Sequence, residues 1–192
     1  MTHETDDVWL REDAPLAHER ALMRRGYRPW YASVDVVRPS LADVTRPDDL
    51  TLRPLAELGT ERTLALLGRV LHDTRHRRYQ ARPAAAVLAR LVALADGDTA
   101  AWSAILRDEV AIGLVLPRPA SQTLALVGLV PEARGQGLGR EAHRLGLWLL
   151  AQAGADRYRD ATDIRNTPML RTFQRNGCRP TGMTRWYRRQ EV

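Results

Sequence analysis

Between Leu126 and Arg140 the chain reads Leu-Val-Gly-Leu-Val-Pro-Glu-Ala-Arg-Gly-Gln-Gly-Leu-Gly-Arg, an apolar strand-like run entering a glycine-rich turn that opens a helical pattern. A turn of this kind aims several main-chain N–H groups at one point, and a helix N-terminus adds about half a positive charge there. Glycines at 135, 137 and 139 remove the Cβ atoms that would hold a phosphate away from the backbone. Arg134 and Arg140 flank the turn with cationic forks. A plain helix start with permissive glycines explains three alternating glycines between two arginines poorly. Two familiar phosphate loops fail on composition or spacing. The Walker loop needs a lysine and the chain has none; the dinucleotide fingerprint started at Gly135 needs its third glycine where Arg140 stands.

The chain has 192 residues, enough for one domain with an ample core, and a single cysteine, Cys178, so it holds no intrachain disulfide. A cytoplasmic location is expected, since the acidic start lacks an apolar leader and no apolar run reaches the ~18 residues of a membrane span. All 29 basic residues are arginine. Residues 1–50 carry 7 Arg against 10 acidic groups, whereas residues 133–192 carry 12 against 5. The last third therefore has a positive field suited to a phosphorylated ligand or nucleic acid, and composition does not choose between them.

Periodicity predicts strand, helix and strand over 8–11, 15–25 and 27–37, then a proline-bearing linker to residue 49. A strand over 50–55 and helices over 60–72 and 83–97 follow, the first with Leu64, Leu67 and Leu71 on one face. Strands over 101–107, 110–116 and 121–130 form a meander, followed by a helix over 137–153, a strand over 157–162, a helix over 167–175 and a strand over 178–188. This order predicts an α/β (α+β) fold: a mixed, mostly antiparallel sheet with helices on both faces. The predicted division is residues 1–49, an N-terminal β-α-β extension and linker, and residues 50–192, the main domain.

Arg134-Gly-Gln-Gly-Leu-Gly139 fits the pyrophosphate loop [Q/R]-x-x-G-x-[G/A], and Asn166 is followed eleven positions on by Gly177 before the last strand. In these two motifs, in this order, residues 50–192 resemble the GNAT superfamily of acetyl-CoA-dependent N-acyltransferases. The resemblance implies that acetyl-CoA is the cosubstrate and that no metal is needed. Residues 134–140 (Arg134, Gly135, Gln136, Gly137, Leu138, Gly139, Arg140) would then hold the pyrophosphate, and the main chain of Leu129 and Val130 would pair with the pantetheine arm. A Val130 N–H would polarise the thioester carbonyl. Asn166 and Phe173 would border the sulfur end. Many relatives have a tyrosine acid where this chain has Phe173; a thiol of pKa near 8.5 leaves tolerably without one. Where some relatives carry a glutamate base this chain has Ala161, so Asp163, on the same strand face, is the candidate base, beside a water relay.

The connection 72–82 would form part of the acceptor wall, with Arg75, Arg77, Arg78 and Tyr79 favouring amines that also carry an anionic group. The reading is an N-acetyltransferase acting on a small-molecule amine or peptide N-terminus, monomeric or homodimeric. Its rivals are a non-catalytic acyl-CoA-binding or regulatory module and, less favoured, a nucleic-acid-binding domain. His72 and His76, at i and i+4, lack further metal ligands and sit among arginines. Finally, Arg25-Gly-Tyr-Arg-Pro29 parallels Asn176-Gly-Cys-Arg-Pro180 at an offset of 151 residues, which reads residues 1–38 as the trailing piece of a first acyltransferase domain.

Overall fold

A computed structural model describes residues 7–95 and 97–190. His3 and the acidic start of the chain lie outside the described residues. The elements are β1 (Val8–Arg11), α1 (Leu16–Arg24), β2 (Tyr27–Arg38), β3 (Thr51–Pro54), a short α2 (Leu55–Leu58), α3 (Thr60–Leu71) and α4 (Ala84–Leu94). Next come β4 (Ser103–Arg107), β5 (Val110–Arg118), β6 (Thr123–Leu129), α5 (Leu138–Gln152), β7 (Tyr158–Asp163), α6 (Thr167–Arg175) and β8 (Arg179–Arg189). The helix over 167–175 falls on the predicted bounds, while α2 was not foreseen.

The strands form two four-stranded sheets, in the orders β3-β4-β5-β6 and β1-β8-β2-β7, with antiparallel pairing throughout each. Strands β6 and β7 join the sheets at one end only. There the Arg159 amide donates to the Gln122 carbonyl at 3.0 Å, and the Leu124 amide reaches the Asp160 carboxylate at 3.4 Å. Beyond that junction a cleft opens between the two strands, lined by residues 124–128 and 160–162. The bulge at Ala125 starts the divergence: Leu116 pairs with Leu126 and Pro117 with Leu124, so Ala125 drops out of the ladder.

One core runs through both sheets, from Leu66, Leu67 and Val70 on α3 through Ile105 and Val115 to Leu145 and Leu150 on α5. The buried face of α3 is rotated from the predicted one. Thr63, Leu66, Leu67 and Val70 are buried, at the i, i+3, i+4, i+7 spacing of a helix packed against a sheet. Leu64 and Leu71 are only half-buried.

The N-terminal segment reaches far into this architecture. Strand β2 lies between β8 and β7 and pairs with both, Ser33 standing opposite Thr184 on one side and Asp163 on the other. A bulge at Trp30 interrupts its ladder with β8. The same offset of 151 residues separates Leu16 from Thr167 and Arg24 from Arg175, the first and last residues of α1 and α6.

Candidate active site

Strand β6 ends at the turn that opens α5, and two backbone conformations make the turn possible. Gly135 (φ +78°) and Gly137 (φ +83°) are left-handed, and a Cβ at either would meet nothing within 4 Å. These positions therefore demand glycine for conformation and face open space. The Arg134 amide donates to Pro131 and the Arg140 amide to Gly137. The main chain between them, residues 135–139, is what remains for a ligand, at a helix start whose first amides have no intrahelical acceptor.

The two flanking arginines behave differently. Arg134 donates Nε to the Leu129 carbonyl at 3.0 Å, and Nη2 to the carbonyls of Val70 and His72, both at 2.9 Å. Its guanidinium therefore ties the end of β6 to the end of α3 instead of forming the cationic fork expected from the sequence. Arg140 is exposed. Gln136 Nε2 donates to the Glu132 carbonyl, closing the turn from its other side, while Leu138 is buried beneath it.

The edge of β6 follows from its pairing. The Val130 amide donates to the Ile112 carbonyl at 2.9 Å, across to β5. Antiparallel strands alternate inward and outward main-chain groups, so those of Val127 and Leu129 point to the opposite edge, toward the cleft. Leu129 thus keeps its expected edge position, whereas Val130 is corrected: its N–H is committed to the sheet and cannot polarise a carbonyl in the cleft. The bulged Ala125 also lines the cleft.

Asn166 and Phe173 both line the cleft. Asn166 stands just before α6 and turns its Nδ2 back to Thr162 Oγ1 at 3.2 Å. Phe173 is buried, with its ring edge-on to His143 at a centroid distance of 5.2 Å. His143, fully buried on α5, meets Asn176 Nδ2 through its Nδ1 at 2.8 Å; burial pushes its pKa down to about 3, so it is a neutral hub near pH 7.

Asp163 does not suit the role of base. It is 1% exposed and lines no part of the cleft. Its Oδ1 accepts from the Arg165 amide and Nε, and its Oδ2 from the Arg77 amide and Arg165 Nη2. Burial alone would raise its pKa, but the Arg165 side chain and the Arg165 and Arg77 amides hold it below the usual carboxylate value. The group anchors the connection after α3 to β7.

That connection packs on aromatic rings carried by the N-terminal segment and the last strand. His76 stacks on Tyr31 of β2 with centroids 5.6 Å apart, the Arg78 guanidinium lies 4.3 Å from the Trp186 ring centroid, and Arg77 lies 5.9 Å from that of Trp30. Of the four residues expected to line the acceptor wall, Tyr79 borders the cleft, Arg77 and Arg78 cover these rings, and Arg75 is exposed. His76 also lines the cleft, and burial pushes its pKa down to about 4, with Asp163 opposing the shift and Arg78 adding to it. Sequence reasoning missed Tyr31, Trp186 and Asp160 as neighbours of the site and weighed His76 only as a metal ligand. The alternation of Asp160 with Thr162 on β7 was the available signal for the carboxylate.

The cleft encloses about 150 Å³. A separate apolar groove, lined by Val34, Val36, Leu170 and Cys178, lies beside α6. Burial pushes the Cys178 thiol up to about 12, which leaves it protonated and unsuited to nucleophilic attack. Among the described residues no group of three metal-ligating side chains converges, and no helix is long and apolar enough to cross a membrane.

The family model for the acetyltransferase (GNAT) domain matches residues 49–179. The chain belongs to the GNAT acetyltransferase family. Solved GNAT structures share its fold at low identity. A GCN5-related N-acetyltransferase from Sphaerobacter thermophilus superposes with a TM-score of 0.66 at 15% identity, covering 97% of this chain and 60% of that one. A GCN5-related N-acetyltransferase from Kribbella flavida gives 0.63 at 16%, covering 97% and 68%. The glucosamine N-acetyltransferase region of a fungal multi-domain β-N-acetylglucosaminidase gives 0.64 at 16%, covering 98% and 24%. This GNAT chain thus spans about three-fifths of the length of the first of these relatives. A comparison with curated proteins finds no match.

Proposed function

We propose that this GNAT protein moves an acetyl group from acetyl-CoA to a primary amine of a small molecule or a peptide N-terminus, by direct attack in a ternary complex. One observation carries the reading: beyond the Leu124–Asp160 contact β6 parts from β7, and the strand runs on to a turn where a Cβ at Gly135 or Gly137 would meet nothing within 4 Å. The main-chain groups of Val127 and the Leu129 amide suit a pantetheine arm laid along the strand edge, the Leu129 carbonyl being taken by Arg134, and residues 135–139 suit its pyrophosphate. Asn166 and Phe173 would border the sulfur. With Val130 committed to β5, we assign polarisation of the thioester carbonyl to the main chain at Ala125. The acceptor would enter beside Tyr79 and the arginine-bearing turn, where Arg77 and Arg78 favour an amine that also carries a carboxylate or phosphate.

The rival reading, a non-catalytic acyl-CoA-binding module, draws support from Phe173, which brings no hydroxyl to the sulfur end. One assay separates the two: thiol release from acetyl-CoA across a panel of amines, with acetyl-CoA affinity measured by calorimetry. Amine-dependent release supports the enzyme. Tight binding without release with any amine would leave only the binding module. The shared 151-residue offset of α1 and α6 supports our reading of residues 8–38 as a copy of the β7-α6-β8 unit packed against residues 50–192.

A further inference from the structure

We propose that Asp160 is the general base that receives the proton of the attacking amine; the assignment rests on the acyl-transfer reading above. Asp160 stands on β7 at the closed end of the cleft, where its Oδ2 takes the Leu124 amide of β6 at 3.4 Å. It lines the same cleft as Asn166 and Phe173, beside the bulged Ala125, and is partly exposed there. Asp163, by contrast, is closed off.

Its bonding leaves it able to act. Oδ1 accepts the Ala161 amide at 2.8 Å, and Oδ2 accepts the Tyr158 hydroxyl at 2.8 Å besides Leu124. A carboxylate offers about four acceptor sites, so one on Oδ1 remains for a substrate N–H. Among the described residues no arginine comes within ion-pair distance of it. A weakly solvated carboxylate without a cation costs stability, and such groups are retained where function needs them.

The surroundings set its proton affinity. Tyr158 lies beside it on β7, Tyr79 and His76 approach from the connection after α3, Cys178 from the start of β8, and Arg118 from the end of β5. Burial outweighs the Tyr158 hydroxyl and the two amides and pushes Asp160 up to about 6. That value suits a base working near neutral pH.

The step balances without another reagent. The neutral amine nitrogen attacks the thioester carbon and the C–N bond forms. Its surplus proton passes to Asp160 Oδ1. The C–S bond then breaks with its electron pair on sulfur, and the carboxyl returns the proton to the departing thiolate. Amide and free thiol result, and the missing tyrosine acid is not needed.

The test is Asp160→Asn, which keeps the shape and the acceptor for Tyr158. Acetyl-CoA affinity should stay within about twofold while kcat falls roughly 100- to 1000-fold, in the range of lost acid–base catalysis. The wild-type kcat should fall off on the acid side with an apparent pKa near 6, and the variant should lose that limb. Tyr158→Phe removes a donor to the carboxylate and should move the limb to higher pH, which provides a second reading if the first variant misfolds. An Asp160→Asn enzyme that keeps wild-type kcat, or a Tyr158→Phe limb that does not move, overturns the assignment. A wild-type protein that releases no thiol with any amine of the panel sinks the acyl-transfer reading instead, and this assignment with it.

Discussion

Asn176 Nδ2 lies 2.8 Å from His143 Nδ1 and also donates to the Arg140 carbonyl at 2.9 Å, so one buried amide holds the end of α6 to the first turn of α5. Asn176 precedes Gly177, and Arg140 closes the cradle. The residue before the glycine that launches β8 is thus bonded directly to the start of α5, with a neutral imidazole beside the contact. The Arg38 guanidinium adds a bond to the Asn176 carbonyl from β2.

This contact predicts an acid sensitivity. The folded pKa of His143 is depressed to about 3 and that of His76 to about 4. The unfolded chain takes up those protons near 6.5, so the stability they contribute is present above 6.5 and lost as pH falls. Asp160, raised to about 6, acts in the opposite sense between its unfolded value near 4 and 6. Urea unfolding from pH 6.5 to 5 should show a net loss of about 1 kcal/mol per pH unit, one histidine's worth after Asp160 offsets the other. His143→Gln should flatten that slope. An unchanged slope in a folded variant would mean that His143 is protonated in the native state.

Gly137 separates conformation from contact. Gly137→Ala adds a methyl that meets nothing but sits at φ +83°, so it should cost about 1 kcal/mol of stability and little affinity. Gly137→Glu should abolish acetyl-CoA binding as well, because a carboxylate would enter the pyrophosphate position. Calorimetry with circular dichroism on both variants checks this, and equal affinities in the two would remove the loop from the cofactor site.

Deleting residues 8–38 strips β2 from between β7 and β8 and removes Leu22 and Tyr27 from beside Tyr187. Two strand edges and an apolar patch become exposed, so the shortened protein should aggregate or lose its cooperative melt. Size-exclusion chromatography and a thermal melt decide it. A monomer with unaltered melting would make the segment an appendage.

At the acceptor end, 4-aminobutanoate, butylamine and putrescine share a four-carbon chain and differ in terminal charge. The carboxylate should win over putrescine by roughly tenfold in kcat/KM through charge-assisted contacts. Arg77→Gln with Arg78→Gln should narrow that gap mainly through KM, since the Arg77 amide bond to Asp163 survives the substitution. Putrescine as the best of the three would rule out an anion-favouring wall.

The cradle was legible because its signal is local: the backbone at 135 and 137 needs glycine whatever surrounds it, and the helix start follows within a few residues. The bounds of α6 were legible for the same reason, with Pro168 near its start and Gly177 past its end. Side-chain roles were harder. Arg134 looked like a phosphate fork, but the carbonyls of Val70 and His72, some sixty residues earlier, take its guanidinium. Val130 looked like an oxyanion donor, but which edge its N–H faces depends on register with Ile112. Asp163 looked available until Arg77 and Arg165 closed around it.

The sequence by itself determined the order of the strands and the longer helices, the glycine-rich turn before α5, and the positions of Asn166 and Phe173 after the seventh strand. Each depends on hydrophobic period, turn chemistry or fixed spacing, all written within a few turns of chain. Only the tertiary structure decided that β2 enters the sheet between β7 and β8, that β6 and β7 part at Ala125, and that Asp160 faces the cleft while Asp163 does not. Those outcomes depend on which distant strand supplies the next hydrogen-bonding edge, and the pairing of edges is a property of the assembled sheet that no local stretch encodes.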